Sequence, residues 1–193
     1  MFDPQGPVLG IDPGLSRCGY GAVLGRGGAT RAVSYGVITT ATSHELPARL
    51  AQLAEDLAAL VAELRPCAMA VERVLFQNNA RTAISVGQAS GLALVAAARA
   101  GVPVTQYSPN EVKLAVAGHG AADKEQVQLM VTRLLRLDAV PRPPDAADAL
   151  ALALCHQWAA PLHGRIAERD PGTASTASGY DRAVTAALAR DAR

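Results

Sequence analysis

PVLGIDPGLSRCGYGAVLG (residues 7–25) decides the architecture. Its first part, PVLGID (7–12), is a short apolar run closed by Asp-Pro-Gly, a turn signal, and reads as a buried strand. RCGYGAVLG (17–25) alternates loosely and reads as a second strand, ended by a turn at Gly27 and Gly28. ATRAVSYGVITT (29–40) carries Val, Tyr, Ile and Thr at strand spacing. Three strands joined by short glycine-rich turns predict an antiparallel meander.

Downstream, the period changes. Leu46, Leu50, Leu53, Leu57, Leu60 and Leu64 recur at steps of four and three, the apolar stripe of a helix that Pro66 ends. CAMAVE (67–72) is a second short apolar run and reads as a buried strand. A long helix is expected over 79–100, closed by Gly101, and VPVTQY (102–107) reads as the fifth strand. Ser108-Pro-Asn-Glu111 has capping-box spacing with Pro at the first helical position. Helical segments follow at 109–116 and 123–137, the second with Val127, Val131 and Leu134 on its buried face. A last helix runs from Asp145 to about residue 160.

Strands that lie parallel need crossovers, and helices 46–64 and 79–100 supply them. The fold class is therefore α/β: a mixed five-stranded sheet, antiparallel meander plus parallel strands, with helices on both faces. Residues 1–162 form the domain. Residues 163–193, rich in Gly, Ser, Thr, Ala and Arg, read as a flexible C-terminal tail.

Composition sets outer bounds. The chain of 193 residues is half hydrophobic and 18% charged, enough to bury one core. Each apolar run is interrupted before 18 residues and the start has no basic or apolar leader, so neither a membrane span nor a secretory signal is expected. Cys18, Cys67 and Cys155 are scattered without a CxxC pair, which fits free thiols in a reducing cytoplasmic setting. Net charge is only +1, but residues 73–142 hold eight basic residues against four acids. Of 18 basic residues only Lys113 and Lys124 are lysines.

Four acids are hard to explain by structure alone. Asp12 and Glu72 each end an apolar strand, and parallel neighbours would bring them side by side where α/β sheets gather chemistry. Asp145 and Asp148 open the last helix three residues apart, on one face. Taken singly, each has a structural explanation: a turn for Asp12, a buried ion pair for Glu72, capping and the helix dipole for the aspartates. Packed together, four carboxylates repel unless a cation neutralises them. Oxygen ligands suit Mg²⁺ or Mn²⁺, and two such ions about 3.5–4 Å apart are common machinery for phosphodiester hydrolysis.

GIDPGLSRCGYG (10–21), AVERV (70–74), GQASG (87–91), VKLAVAGHGAADKEQVQLMV (112–131) and DAADALALAL (145–154) resemble the RuvC family of Holliday junction resolvases. The likeness is collinear from about residue 8 to 160. It implies a ribonuclease H-like fold and a homodimer that nicks two like-polarity strands of a four-way DNA junction, leaving 5′-phosphate and 3′-hydroxyl ends. It also implies Asp12, Glu72, Asp145 and Asp148 as metal ligands for two Mg²⁺ per active site, with Mn²⁺ able to substitute, and Lys113 and Lys124 as catalytic and DNA-binding residues. A RuvA/RuvB-type branch-migration complex is the implied partner.

Other DNA contacts are expected around the loop after Glu72: Arg73, Leu75, Phe76, Asn79 and Arg81. Members of the family often place a Phe wedge three residues after the catalytic Glu. Here that position is Leu75 and the Phe follows at Phe76, so either can unstack bases, or Phe76 can serve the core. Ala83, Gly87 and Gly91 allow close approach of another backbone, from this chain's sheet or from a second subunit. His119, between two glycines, reads as solvent-exposed. Two rivals stand beside the nuclease: a junction binder without catalysis, which the intact acid set disfavours, and an actin-like phosphotransferase, which GIDPG alone brings in.

Overall fold

Val8–Asp12 (β1), Arg17–Leu24 (β2), Arg31–Thr39 (β3), Ala68–Glu72 (β4) and Val104–Tyr107 (β5) pair into one sheet of order β3-β2-β1-β4-β5. This computed structural model describes residues 5–25, 27–74 and 80–169, with backbone alone for 80–82 and 160–169. The first three strands are antiparallel; β1–β4 and β4–β5 are parallel, as expected for the mixed sheet. Helices are Leu46–Leu64 (α1), Ala80–Ala100 (α2), Pro109–Ala117 (α3), Lys124–Leu134 (α4) and Pro144–Arg169 (α5). The described residues up to 159 form one compact unit.

The two central strands are buried on both faces, so their sequences read as continuous apolar runs. Alternate residues go to separate cores. Leu9, Ile11, Met69 and Val71 join Leu53, Leu57 and Val61 of α1 and Ala89 and Ala93 of α2. Val8 and Ala70 join a second core with α3, α4 and α5. Asp12 and Glu72 follow in phase with that second set, which aims them at the α5 side.

α5 lies against β1 and β2 at backbone distance. A Cβ on Gly10 would overlap the Ala149 carbonyl and stand 2.8 Å from the Ala153 nitrogen. One on Gly19 would overlap the Asp145 carbonyl, and one on Gly21 would reach 2.6 Å from the Leu150 nitrogen. The register pairs Gly10 with Gly21 and Asp12 with Gly19, so Gly10, Gly19 and Gly21 form one side-chain-free channel that leads to Asp12. α5 answers with Ala146, Ala149 and Ala153, all fully buried.

Several expectations need adjusting. α5 continues to Arg169 rather than ending near residue 160, and Pro161 lies within it. The fifth strand is shorter than expected: Val102 still bonds back to the Ala97 carbonyl of α2, and Pro103 contributes only its carbonyl, which accepts from Met69. By length and composition, Ala83–Ala100 of α2 would pass for a membrane span, at mean hydropathy 1.3. Its Ala89, Ala93, Ala96 and Ala97 face nonetheless packs into the α1-side core. Cys18 and Cys155 are buried free thiols as expected, pushed up to about 11 and about 12 by burial, whereas Cys67 is only half-buried.

The glycine channel predicts an asymmetry among glycines. Gly10→Ala should lower the melting temperature by roughly 5–10 °C or more, because helix backbone cannot yield as a side chain can. Gly28→Ala, where an added Cβ meets nothing within 4 Å, should change it by less than about 2 °C. Thermal unfolding of both variants by circular dichroism checks the pair.

Candidate active site

The parallel register runs Val8 with Ala68 through Ile11 with Val71, so the next residues, Asp12 and Glu72, end their strands side by side. They share a side-chain hydrogen bond, in which the Asp12 carboxyl donates to Glu72. Burial first, then the charges of Glu72, Asp148 and Asp145, push the Asp12 carboxyl up to about 8. Glu72 is also raised, by burial and by Asp148, although the Asp12 hydrogen bond and Lys124 pull it back.

The other acids come from α5. Asp145 lies inside the first turn, since the helix begins at Pro144, and so is not its cap residue. Asp148, one turn on, is raised by burial and by Asp145, against the opposing effect of Lys124. Lys124 Nζ stands 2.6 Å from Asp148 Oδ2. Burial would lower this ammonium, but the Asp148 hydrogen bond and the charges of Asp148, Asp12 and Asp145 outweigh it and raise it.

Local caps aim the lysines. Ser108 and Glu111 form the expected capping box at the start of α3. A second box, Asp123 with Gln126, opens α4 and fixes Lys124 as its first residue. Lys113 and Lys124 line a cleft of about 350 Å³ together with Asp12, Glu72, Asp148 and Val112. Asp145 borders this group instead of lining it: its carboxylate turns to Arg17, 3.4 Å away.

The remaining expected DNA residues fare differently. Arg73 is exposed and donates from Nη2 to the Gln106 carbonyl at 3.0 Å. Leu75, Phe76 and Asn79 lie outside the described residues, as does the side chain of Arg81. His119 is exposed in a turn and does not line the cleft. Arg17 went unnoticed in the sequence; its spacing of two from Gly19 puts it on the acid-bearing face only once Gly19 is seen to pair with Asp12 and pack on Asp145.

The donor set fits hard divalent cations: four oxygen acids, of which burial first and mutual repulsion second keep at least three harder to ionise than usual. Among the described residues no three of these side chains stand in a ready-made cage. The two α5 aspartates each face a cation of the chain, Asp145 towards Arg17 and Asp148 towards Lys124.

A mixed sheet of this order, packed by helices on both faces, is a ribonuclease H-like fold. The family model described as "Crossover junction endodeoxyribonuclease RuvC" matches residues 8–156, and the chain belongs to the RuvC family of crossover junction endodeoxyribonucleases. It is 56% identical over 161 residues to the crossover junction endodeoxyribonuclease RuvC of Salinispora arenicola, covering 83% of this chain and 92% of that one. For the Rhodococcus jostii RuvC the identity is 48% over 174 residues, 90% and 92% of the two chains. The structure of Thermus thermophilus RuvC in complex with a Holliday junction substrate superposes with a TM-score of 0.78 at 41% identity, covering 82% of this chain and 96% of that one. A yeast mitochondrial Holliday junction resolvase shares the fold at TM-score 0.60 and 15% identity, covering 85% of each chain.

The raised Asp12 carboxyl makes a pH prediction. Its folded value, about 8, exceeds its ordinary 3.8, so between those limits the folded state binds the extra proton and stability falls as pH rises. With chelator present, Asp12→Asn should be more stable than the native chain at pH 8, by on the order of a few kcal/mol. The difference should vanish below about pH 4. Urea unfolding at a series of pH values measures it.

Proposed function

We propose that Asp12, Glu72, Asp145 and Asp148 form the metal-binding catalytic set of a Holliday junction resolvase. The observation that carries this reading is the convergence of Asp12, Glu72, Asp148, Lys113 and Lys124 on one cleft. Nucleases of this family are metal-dependent. The carboxylate chemistry favours two Mg²⁺ per active site, with Mn²⁺ as a substitute. Bound there, the ions would activate the attacking water and stabilise the leaving 3′ oxygen, giving 5′-phosphate and 3′-hydroxyl ends.

The chain's own residues do the rest. Asp12 and Glu72, rigid at strand ends, define the floor of the site. Asp145 and Asp148 supply oxygens from the helix across it. Lys113 and Lys124 place positive charge where negative charge develops on the scissile phosphate. Junction binding follows the Thermus thermophilus relative, whose structure holds that substrate. Arg73, Leu75, Phe76, Asn79 and Arg81 extend the DNA surface in this reading, with Leu75 or Phe76 as the wedge.

Two symmetric nicks need two sites related by a twofold axis, hence a homodimer. Support comes from α2, where Ile84 is 62% exposed and Val95 47% exposed. Among the described residues, nothing stands within 4 Å of a Cβ added at Gly87 or Gly91 on the same helix, which leaves that face open to a second subunit. We further propose residues 1–162 as the nuclease domain, 163–193 as a tail, a cytoplasmic setting without membrane attachment, and cooperation with a RuvA/RuvB-type branch-migration complex.

Asp148→Asn should reduce nicking of a synthetic four-way junction by at least about 10³-fold while junction affinity stays within about threefold. Gel assays of cleavage and binding in Mg²⁺ measure both, and full cleavage by this variant would remove the assignment. Ile84→Glu should convert a dimer to a monomer in sedimentation without lowering the far-ultraviolet helix signal.

A further inference from the structure

The expected DNA surface lies in residues 73–142, on the Lys113 and Lys124 side of the acids. The other side also carries positive charge. Arg17 is the first residue of β2, and its side chain is 63% exposed. Residues 17, 19 and 21 share one face of the strand, and Gly19 packs on the Asp145 backbone, so Arg17 stands at the rim beside that aspartate. Its Nε lies 3.4 Å from Asp145 Oδ2, which leaves the exposed guanidinium donors free to engage a second anion.

The segment that presents Arg17 is held firmly. Thr40 Oγ1, buried, donates to the Leu15 carbonyl at 2.6 Å, and the Thr40 N–H donates to the Ser16 carbonyl at 3.3 Å. Arg49 of α1 donates from Nε to Thr40 Oγ1 at 3.0 Å and from Nη2 to Ser16 Oγ at 2.7 Å. This clamp fixes the turn after Asp12 and adds a second positive charge next to exposed Ser16. A backbone held in place spares part of the ordering cost of binding, and the planar guanidinium fork matches phosphate oxygens.

We propose that Arg17, on the clamped turn of Leu15–Arg17, is a phosphate-contact residue for the DNA strand at the rim opposite Lys113 and Lys124. The inference rests on the resolvase reading above. A strand lying across the carboxylates then meets lysines on one flank and Arg17 on the other. The contact reads backbone and not base, so it acts on affinity and salt dependence and not on sequence preference.

The test uses the full chain in the Asp148→Asn background, with Mg²⁺ and a labelled four-way junction, titrated at several salt concentrations. Arg17→Gln should weaken junction binding about tenfold near 0.1 M salt and lower the slope of log affinity against log salt by about one. Arg17→Lys should restore the slope. Mn²⁺ affinity, measured by calorimetry without DNA, should stay within about twofold. An unchanged slope in Arg17→Gln overturns the proposal. A loss of Mn²⁺ affinity with the slope intact also overturns it, by assigning Arg17 to the orientation of Asp145. If the parent protein does not prefer the junction over linear duplex, the resolvase reading fails, and this proposal with it. A parent that prefers the junction while Arg17→Gln behaves identically removes the Arg17 assignment alone.

Discussion

The approach of α5 to the glycine channel of β1 and β2 is the constraint on which the site depends. A helix usually stands about 10 Å from a sheet because side chains intervene. Here Gly10, Gly19 and Gly21 remove the side chains from the sheet, and Ala149 and Ala153 keep those on the helix small. The helix start therefore sits low enough for Asp145 and Asp148 to share electrostatics with Asp12. Larger residues in the channel would lift the aspartates away from the strand-end acids and divide one cluster into two ordinary pairs.

That closeness has an energetic cost. Asp12 and Glu72 are buried together, and Asp148 adds a further charge to both. Lys124 and Arg17 offset part of the repulsion at the α5 aspartates, while Asp12 is pushed up to about 8. Groups kept at odds with folding stability in a cleft mark function more strongly than any one of them alone. The fold is built to hold this conflict, with two separate cores gripping the central strands from both faces.

Much of this was legible in the sequence because short-range rules decided it. The leucine steps in 46–64 matched α1 at both ends, and the capping spacing at Ser108 placed the start of α3. The position of Asp12 beside Glu72 followed from two apolar runs of equal length that end in acid and need parallel neighbours. The extension of α5 past Pro161 did not follow, since proline is an ambiguous stop signal. Nor did the channel glycines, which in sequence look like turn residues; their meaning needs the helix that lands on them. Arg17 was hidden for a similar reason, as an arginine in an arginine-rich chain acquires a role only once Asp145 is placed beside it.

In the proposed reading, four acids from two strands and one helix make a single metal-dependent site for cutting a four-way junction. The direct measurement is strand-resolved mapping of nicks on a synthetic four-way junction, with Mg²⁺ and with chelator. The account predicts paired nicks, one on each of two strands of like polarity, with ends that a ligase reseals, and none with chelator. Junction binding without nicks in either Mg²⁺ or Mn²⁺, across several crossover sequences, or equal cutting with chelator, would contradict it.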